Sequence, residues 1–506
     1  MTADLTTRVH ALGAKRLRGM RRGVEKESLR CDADGCLVAT PHPAALGSAL
    51  AHPSITTDFS ESQLELITAA HTSVDATVDE LRQIHQFVVR AIGDERLWVT
   101  SMPCRLPADD AIPLGRYGTS NLGRAKTVYR AGLSHRYGRR MQTICGIHYN
   151  WSLPGLGNDE YLALIRNVRR HAFLLLWLFG ASPLVCRCFV EGRAHELEPL
   201  GADTFGLPHA TSLRMGRLGY QSDAQASIAV SYNDLEGYCR SLERALTTPY
   251  PPYEAIGVRG PDGAWRQLAP TLLQIENEFY ATIRPKRRIR SGERPLHALR
   301  ERGIEYVEVR CIDLDPFEPL GIGAATMHLL DVFLLHCLLA PSAPDSPAEH
   351  EALARNQQRT AAHGRQPGLR LERDGREVTL VEWAAEILEQ CRPIARALDA
   401  AHGGSAHDVA LRGALALLDR PRHTPSARVL EAAQREHGGS FHAFGRACSE
   451  HARDALLALP VDAGAQQRLQ ELAEASVREQ REREVADTLP FEAYLEQYLS
   501  IASLRV

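Results

Sequence analysis

A chain of 506 residues, 44% hydrophobic and 24% charged, carries enough apolar material for a large core and for more than one structural unit. A formal net charge of -3 and a pI near 6.7 exclude the basic footprint of a nucleic-acid or anionic-membrane binder. The N-terminus lacks the basic-then-apolar layout of a secretory signal, and eleven scattered cysteines without CxxC spacing suit a reducing compartment, so a cytoplasmic location is expected. Cys186 and Cys188 form only a CxC, a weak metal signal.

Along the chain, strand-like segments alternate with helical ones up to about Leu320. Arg22-Gly-Val-Glu-Lys-Glu-Ser-Leu-Arg30 reads as a strand with Glu25 and Glu27 on one face, because side chains of a strand alternate with period two. In Gln63 to Thr68, Glu65 lies opposite Leu64 and Leu66. The spacing of Leu81, Ile84, Phe87, Val88 and Ile92 predicts a helix over Val78 to Ile92. In Gly146 to Leu153, His148, Asn150 and Ser152 share one face. Tyr161 to Phe179 reads as one long helix ended by Gly180-Ala-Ser-Pro183, and its apolar run from Ala172 is too short to span a bilayer. Gln274 to Arg284 reads as another strand, with Glu276, Glu278, Tyr280 and Arg284 alternating with Ile275, Phe279 and Ile283. The last is Gly303 to Cys311, where Tyr306, Glu308 and Arg310 alternate with Val307, Val309 and Cys311.

Three prolines in Ala340-Pro-Ser-Ala-Pro-Asp-Ser-Pro347 mark a loop. Beyond it the composition turns to Ala, Leu, Glu, Arg and Gln, and Val381 to Gln390 and Arg468 to Val485 read as amphipathic helices. The organisation expected is a catalytic region over 1–339, a Pro-rich loop over 340–350, and a mainly helical region over 351–506 packed on the catalytic part.

Any one of these strands alone is best read as the solvated face of an antiparallel sheet. Together they differ from a solvated face, because carboxylates, one His and one Arg dominate several of them. Carboxylates gathered on one face repel one another unless cations neutralise them. Oxygen donors with a single imidazole suit Mg²⁺ or Mn²⁺ better than zinc. Asp58, in a turn leading into the Glu65 strand, belongs to the same set. Divalent ions beside Arg310 suggest a polyphosphate ligand, yet no GxxxxGK[ST] or strand-linked GxGxxG occurs. Metals and basic side chains must then hold the nucleotide, as in carboxylate–amine ligases built on a sheet.

The chain resembles the glutamate–cysteine ligases (γ-glutamylcysteine synthetases) of the proteobacterial type. The resemblance rests on the strand segments above, with Ile55-Thr-Thr-Asp-Phe-Ser-Glu61, Gly93-Asp-Glu-Arg-Leu-Trp98, Tyr117-Gly-Thr-Ser-Asn121, Met141 to Asn150 and Ala210-Thr-Ser-Leu-Arg214, in the family's order. It implies an α+β fold, with a glutamine-synthetase-like, mainly antiparallel sheet whose concave polar face holds the active site, helices behind, and a helical C-terminal region. It implies ATP-dependent joining of the L-glutamate γ-carboxylate to the L-cysteine amine through a γ-glutamyl phosphate, the first step of glutathione biosynthesis. The metal ligands of the family fall on Glu25, Glu27, Asp58, Glu65, His148 and Glu308. Arg310 falls on the arginine facing the transferred phosphoryl group, with Glu308 beside it as a catalytic residue. Arg214 falls on a substrate-carboxylate or phosphate contact, Tyr129, Tyr220 and Tyr280 on the cysteine pocket, and Arg130 on a phosphate contact. The expected ligands are L-glutamate, L-cysteine, ATP and Mg²⁺ (or Mn²⁺), with no nucleic-acid or membrane partner and a monomeric chain. Two rivals stay open on sequence: a ligase using another amine, and a binding protein that has kept the sheet.

Overall fold

The computed structural model describes residues 4–219 and 223–506. Its strands are β1 (Arg21–Cys31), β2 (Ile55–Thr57), β3 (Gln63–Ile67), β4 (Arg96–Leu97), β5 (Ile147–Ser152), β6 (Leu184–Cys186), β7 (Glu198–Pro199), β8 (Thr204–Gly206), β9 (Ile283–Lys286), β10 (Tyr306–Ile312) and the separate hairpin β11 (Arg370–Arg373) and β12 (Arg376–Thr379). Seven of them form one antiparallel sheet in the order β2-β3-β1-β5-β10-β9, with β4 paired to β1. β6, β8 and β7 make a small separate sheet. This is the expected α+β class.

The apolar residues of the alternating strands explain where the core sits. Val24, Leu64, Leu66, Ile147, Tyr149, Trp151, Val307, Val309 and Cys311 are all buried. Helices Val74–Ala91, Asn158–Arg170 and Ala324–Leu339 pack behind them. Val74–Ala91 starts four residues earlier than its apolar spacing suggests, because Ser73 caps it by accepting from the Ala76 N–H at 3.4 Å. The rear face also buries charge. Arg22 pairs with Asp331 at 2.9 Å, Tyr149 donates to the same carboxylate, and Lys26 Nζ meets His85 Nε2 at 2.9 Å.

Two readings of the sequence need correction. Tyr161 to Phe179 is not one helix: Asn158–Arg170 and Ala172–Phe179 are divided at His171 (φ -104°, ψ 9°). The first half is amphipathic and the second is buried all round, so a single straight rod does not serve both. Gln274 to Arg284 is not a continuous strand. Glu276–Glu278 is a 3₁₀ turn, and extended structure begins only at Ile283. Buried ion pairs override the alternation: Glu276 binds Arg294 at 2.7 Å and Glu278 binds Arg136 at 2.8 Å. These two acids are therefore partnered within the protein.

The Pro-rich stretch is irregular from Ala340 to Ser346, and helix Pro347–His363 starts within the range 340–350, with its proline at the first helical position, where no N–H is needed. The C-terminal helices pack on the sheet-bearing part. Arg392–His402 lies against Leu5–Arg18, Ala406–Asp419 against Ala324–Leu339, and Phe441–Ala458 and Ala463–Ala486 against Val74–Ala91. No helix among the described residues is long and apolar enough to cross a membrane.

Candidate active site

The strand register gathers the acids. Glu27 on β1 stands opposite Glu65 on β3, Glu25 opposite His148 on β5, and Glu308 on β10 is opposite Asn150 on β5 and Arg284 on β9. Directly opposed residues share a face, so four adjacent strands aim these groups into one space. That space is a cavity of about 540 Å³. Its lining includes Glu25, Glu27, Asp58, Glu65, His148, Glu308, Arg310, Tyr129, Arg130 and Tyr280.

His148 is the hub of the acid cluster. Its Nδ1 lies 3.1 Å from Glu25 Oε2 and 4.0 Å from Glu308 Oε1, and its Nε2 is 3.6 Å from Glu27 Oε1. Donor atoms of Glu25, His148 and Glu308 lie within 4.8 Å of one another, and so do those of Glu27, Glu65 and His148. Burial, with the Arg310 charge beside it, holds the imidazole pKa below its ordinary value, which favours the neutral form that can donate a lone pair.

The carboxylates are not alike. Burial and the nearby Asp58 push Glu27 up to about 8. Burial and the charges of Glu25, Asp58 and Glu27 push Glu65 well above the usual carboxylate range. Glu308, although buried, is held well below that range by Lys286, Arg310, His148 and Arg284. Lys286 Nζ is 3.2 Å from Glu308 Oε1, and Arg310 Nη1 is 3.1 Å from Glu308 Oε2 and 3.4 Å from His148 Nδ1. The cavity floor thus runs from an acidic end at β3 and β1 to a cationic end at β9.

One wall is the helix Asn121–Tyr137, which presents Leu122, Ala125, Lys126, Tyr129, Arg130 and Leu133 at three- and four-residue spacing. Ser120 caps it through the Gly123 N–H at 3.2 Å. Arg130 stacks 4.3 Å over the Tyr117 ring and donates through Nε to the Asp58 carbonyl, holding the turn that carries Asp58. Tyr280 accepts a 2.7 Å hydrogen bond from Gln142 Nε2, and burial raises the phenol pKa of both Tyr129 and Tyr280.

Arg214 stands apart from the cavity lining. It is buried, donates through Nη2 to the Arg310 carbonyl at 2.9 Å, and lies 3.6 Å from Asp313. Its charge reaches Glu27 and opposes the upward shift there. Tyr220 lies outside the described residues.

Lys126, Gln142, Lys286, Arg483 and Tyr498 line the cavity without having been singled out in the sequence. Lys286 lies two residues past Arg284 on the alternation of β9, so a strand placed further along would have shown it. Lys126 shares a helical face with Tyr129 and Arg130. Nothing local marks Arg483 or Tyr498, which come from the helices Ala463–Ala486 and Phe491–Leu499.

A carboxylate cluster facing arginines and a lysine across a nucleotide-sized cavity defines an enzyme that manages polyanionic substrates. Known proteins agree on which one. A family model described as glutamate-cysteine ligase matches residues 8–360. The glutamate–cysteine ligase of Azotobacter vinelandii is 48% identical over 503 residues, covering 95% of this chain and 94% of its own. That of Alcanivorax borkumensis is 45% identical, covering 98% and 99%. The crystal structure of glutamate–cysteine ligase from Francisella tularensis in complex with AMP superposes with a TM-score of 0.90 at 34% identity, covering 95% of this chain and 97% of that one. A bifunctional glutathione synthetase from Pasteurella multocida gives a TM-score of 0.71 at 26% identity, with 90% of this chain matching 55% of that one. The chain belongs to the glutamate–cysteine ligase family, and it is a ligase.

Proposed function

We propose that this enzyme joins the γ-carboxylate of L-glutamate to the amine of L-cysteine at the expense of ATP, through a γ-glutamyl phosphate. The carrying observation is the convergence of Glu25, Glu27, Glu65, His148 and Glu308 on one cavity beside Arg310. Family membership supports the reaction, and the AMP bound by the Francisella enzyme supports an adenine nucleotide as ligand.

The donor set fits Mg²⁺, because it is oxygen-rich, carries one neutral imidazole, and crowds Glu27 and Glu65, whose pKa values are raised by burial and by the neighbouring carboxylates. Glu25 and Glu308 would hold one ion and Glu27 and Glu65 a second, with Asp58 close to the latter and the single lone pair of neutral His148 serving one of the two. Bound there, Mg²⁺ would neutralise charge on the ATP phosphates and on the substrate carboxylate.

The protein's own groups have distinct tasks. A carboxylate is a poor electrophile, so the γ-phosphoryl group of ATP is first transferred to it, releasing ADP. Arg310, its side chain one-fifth exposed to the cavity, stabilises charge on the moving phosphoryl group. Glu308 keeps Arg310 in place from the neighbouring position on the same face. Tyr129 and Tyr280 shape the acceptor pocket, with Tyr220 in the same role by resemblance. The neutral cysteine amine attacks the acyl carbon and phosphate leaves as the amide forms. Arg130 acts by fixing Asp58, and Arg214 by moderating the acidic end.

Incubation with Mg-ATP and glutamate, varying the amine and following ADP release with product mass, tests the reading. Cysteine-dependent ADP and γ-glutamylcysteine are expected. ADP release with a different amine only, or none with any amine, would overturn it.

A further inference from the structure

A second group of metal-competent side chains lies behind the sheet, away from the cavity. His336 and Cys337 are neighbours on the helix Ala324–Leu339, and His171 is the residue at which the two preceding helices break. Donor atoms of all three lie within 4.8 Å of one another. His171 Nδ1 is 3.9 Å from Cys337 Sγ. That is close to the ~3.6 Å edge of a tetrahedron built from zinc–nitrogen and zinc–sulfur bonds, and long for a hydrogen bond.

His336 is 1% exposed and Cys337 fully buried. Nε2 of His336 is oriented by Gln390 Oε1 at 3.0 Å, whereas its Nδ1 is buried without a hydrogen-bond partner among the described residues. An imidazole with one nitrogen held by an oxygen and the other unused is the arrangement of a metal-ligating histidine. His42 and His52 also leave one nitrogen unpartnered among the described residues, so the mark of this site is the convergence of three donors on the free nitrogen's surroundings. His171 is only half-buried, which leaves an approach from solvent. Burial lowers the pKa of both imidazoles and raises that of the Cys337 thiol, so a cation there must displace the thiol proton.

We propose that His171, His336 and Cys337 form a second metal site, selective for a borderline-soft divalent cation of the Zn²⁺ class, and separate in place and chemistry from the carboxylate cluster. Two imidazoles and a thiolate are a zinc set, whereas the cavity offers almost only oxygen. Occupation would release the Cys337 thiol proton to solvent and tie helix Ala324–Leu339 to the break at His171. With Gln390 oriented on His336, helix Leu380–Gln390 is drawn into the same junction.

Titration of the metal-free, full-length protein with Co²⁺, used as a visible probe for Zn²⁺, tests this. One equivalent should produce a near-ultraviolet thiolate-to-cobalt charge-transfer band that Zn²⁺ bleaches, and that the carboxylate cluster, having no sulfur, does not generate. Cys337→Ser should abolish the band, while Glu308→Gln and Cys186→Ser keep it. Should Cys337→Ser not fold, His171→Gln provides the second arm, with Co²⁺ affinity at the band expected to fall at least ~10-fold. Absence of the band in the unsubstituted protein, its survival in Cys337→Ser, or unchanged affinity in His171→Gln would overturn the proposal.

Discussion

Strand β1 buries charge on both of its faces, and the two faces settle it in opposite ways. Behind the sheet, Arg22 has Asp331 and Arg30 has Glu95, each cation with its own acid, while Lys26 is pulled down to about 7 by burial and meets a histidine. In front, Glu308 has Lys286 and Arg310, but Glu27, Glu65 and Asp58 crowd together at the other end of the cavity as a local surplus of one sign. Matched pairs complete themselves within the protein. A surplus of like charge is stable only with something brought from outside, so it marks a ligand site where mere burial of charge does not.

The largest expected effect lies on the cavity face. Glu308→Ala or Arg310→Ala should lower turnover at least ~100-fold, on the scale of ~2.7–4 kcal/mol for one electrostatic group at an active site, with the circular dichroism of the folded protein retained. Near-normal turnover in either variant would remove them from the chemistry. On the rear face the same kind of change should damage the fold. Asp331→Ala strands Arg22 and should cost ~3–5 kcal/mol in denaturant unfolding, with the remaining folded enzyme still active.

Lys26 allows a finer test by pH. Its pKa falls from an ordinary 10.5 to about 7 on folding, so between these values the unfolded chain binds the extra proton. Its contribution to stability is therefore full above 10.5 and lost as pH falls through 7. Lys26→Met should flatten the stability profile in that window; an unchanged slope would show that Lys26 keeps its charge. The smallest effect expected is a gain. Without divalent ions at pH 9, Glu27→Gln relieves repulsion and should stabilise the protein by on the order of 1 kcal/mol while impairing ligation. Destabilisation by this change would place Glu27 among the matched pairs instead.

How far the site could be read in the sequence follows from the range of the interactions that build it. Glu25, Glu27, Glu65, His148 and Glu308 were legible because alternation along a strand is local, and register then only had to bring like faces together. The same rule misled at Gln274 to Arg284, where Glu276 and Glu278 alternate correctly but are claimed by Arg294 and Arg136 from elsewhere in the chain. The helix carrying Lys126, Tyr129 and Arg130 gave no signal by periodicity, because its cavity face is itself polar and aromatic and so blurs the apolar stripe. His171, too, looked like one residue of a continuous helix. Its break depends on what the two halves pack against.

The contribution of Arg483 and Tyr498 to the cavity has a consequence in time. The sheet that bears the acids is complete once β10 has been synthesised, yet this wall is still unmade. The helix Phe491–Leu499 packs Phe491 and Leu495 against Ala125 and Val128 of the cavity helix, and Glu484 receives the Thr119 N–H at 2.8 Å just before that helix begins. Since chains emerge from the ribosome N-terminus first, a nascent chain that already displays its carboxylates has yet to enclose them. Enclosure of the cavity waits for the helices Ala463–Ala486 and Phe491–Leu499 to follow.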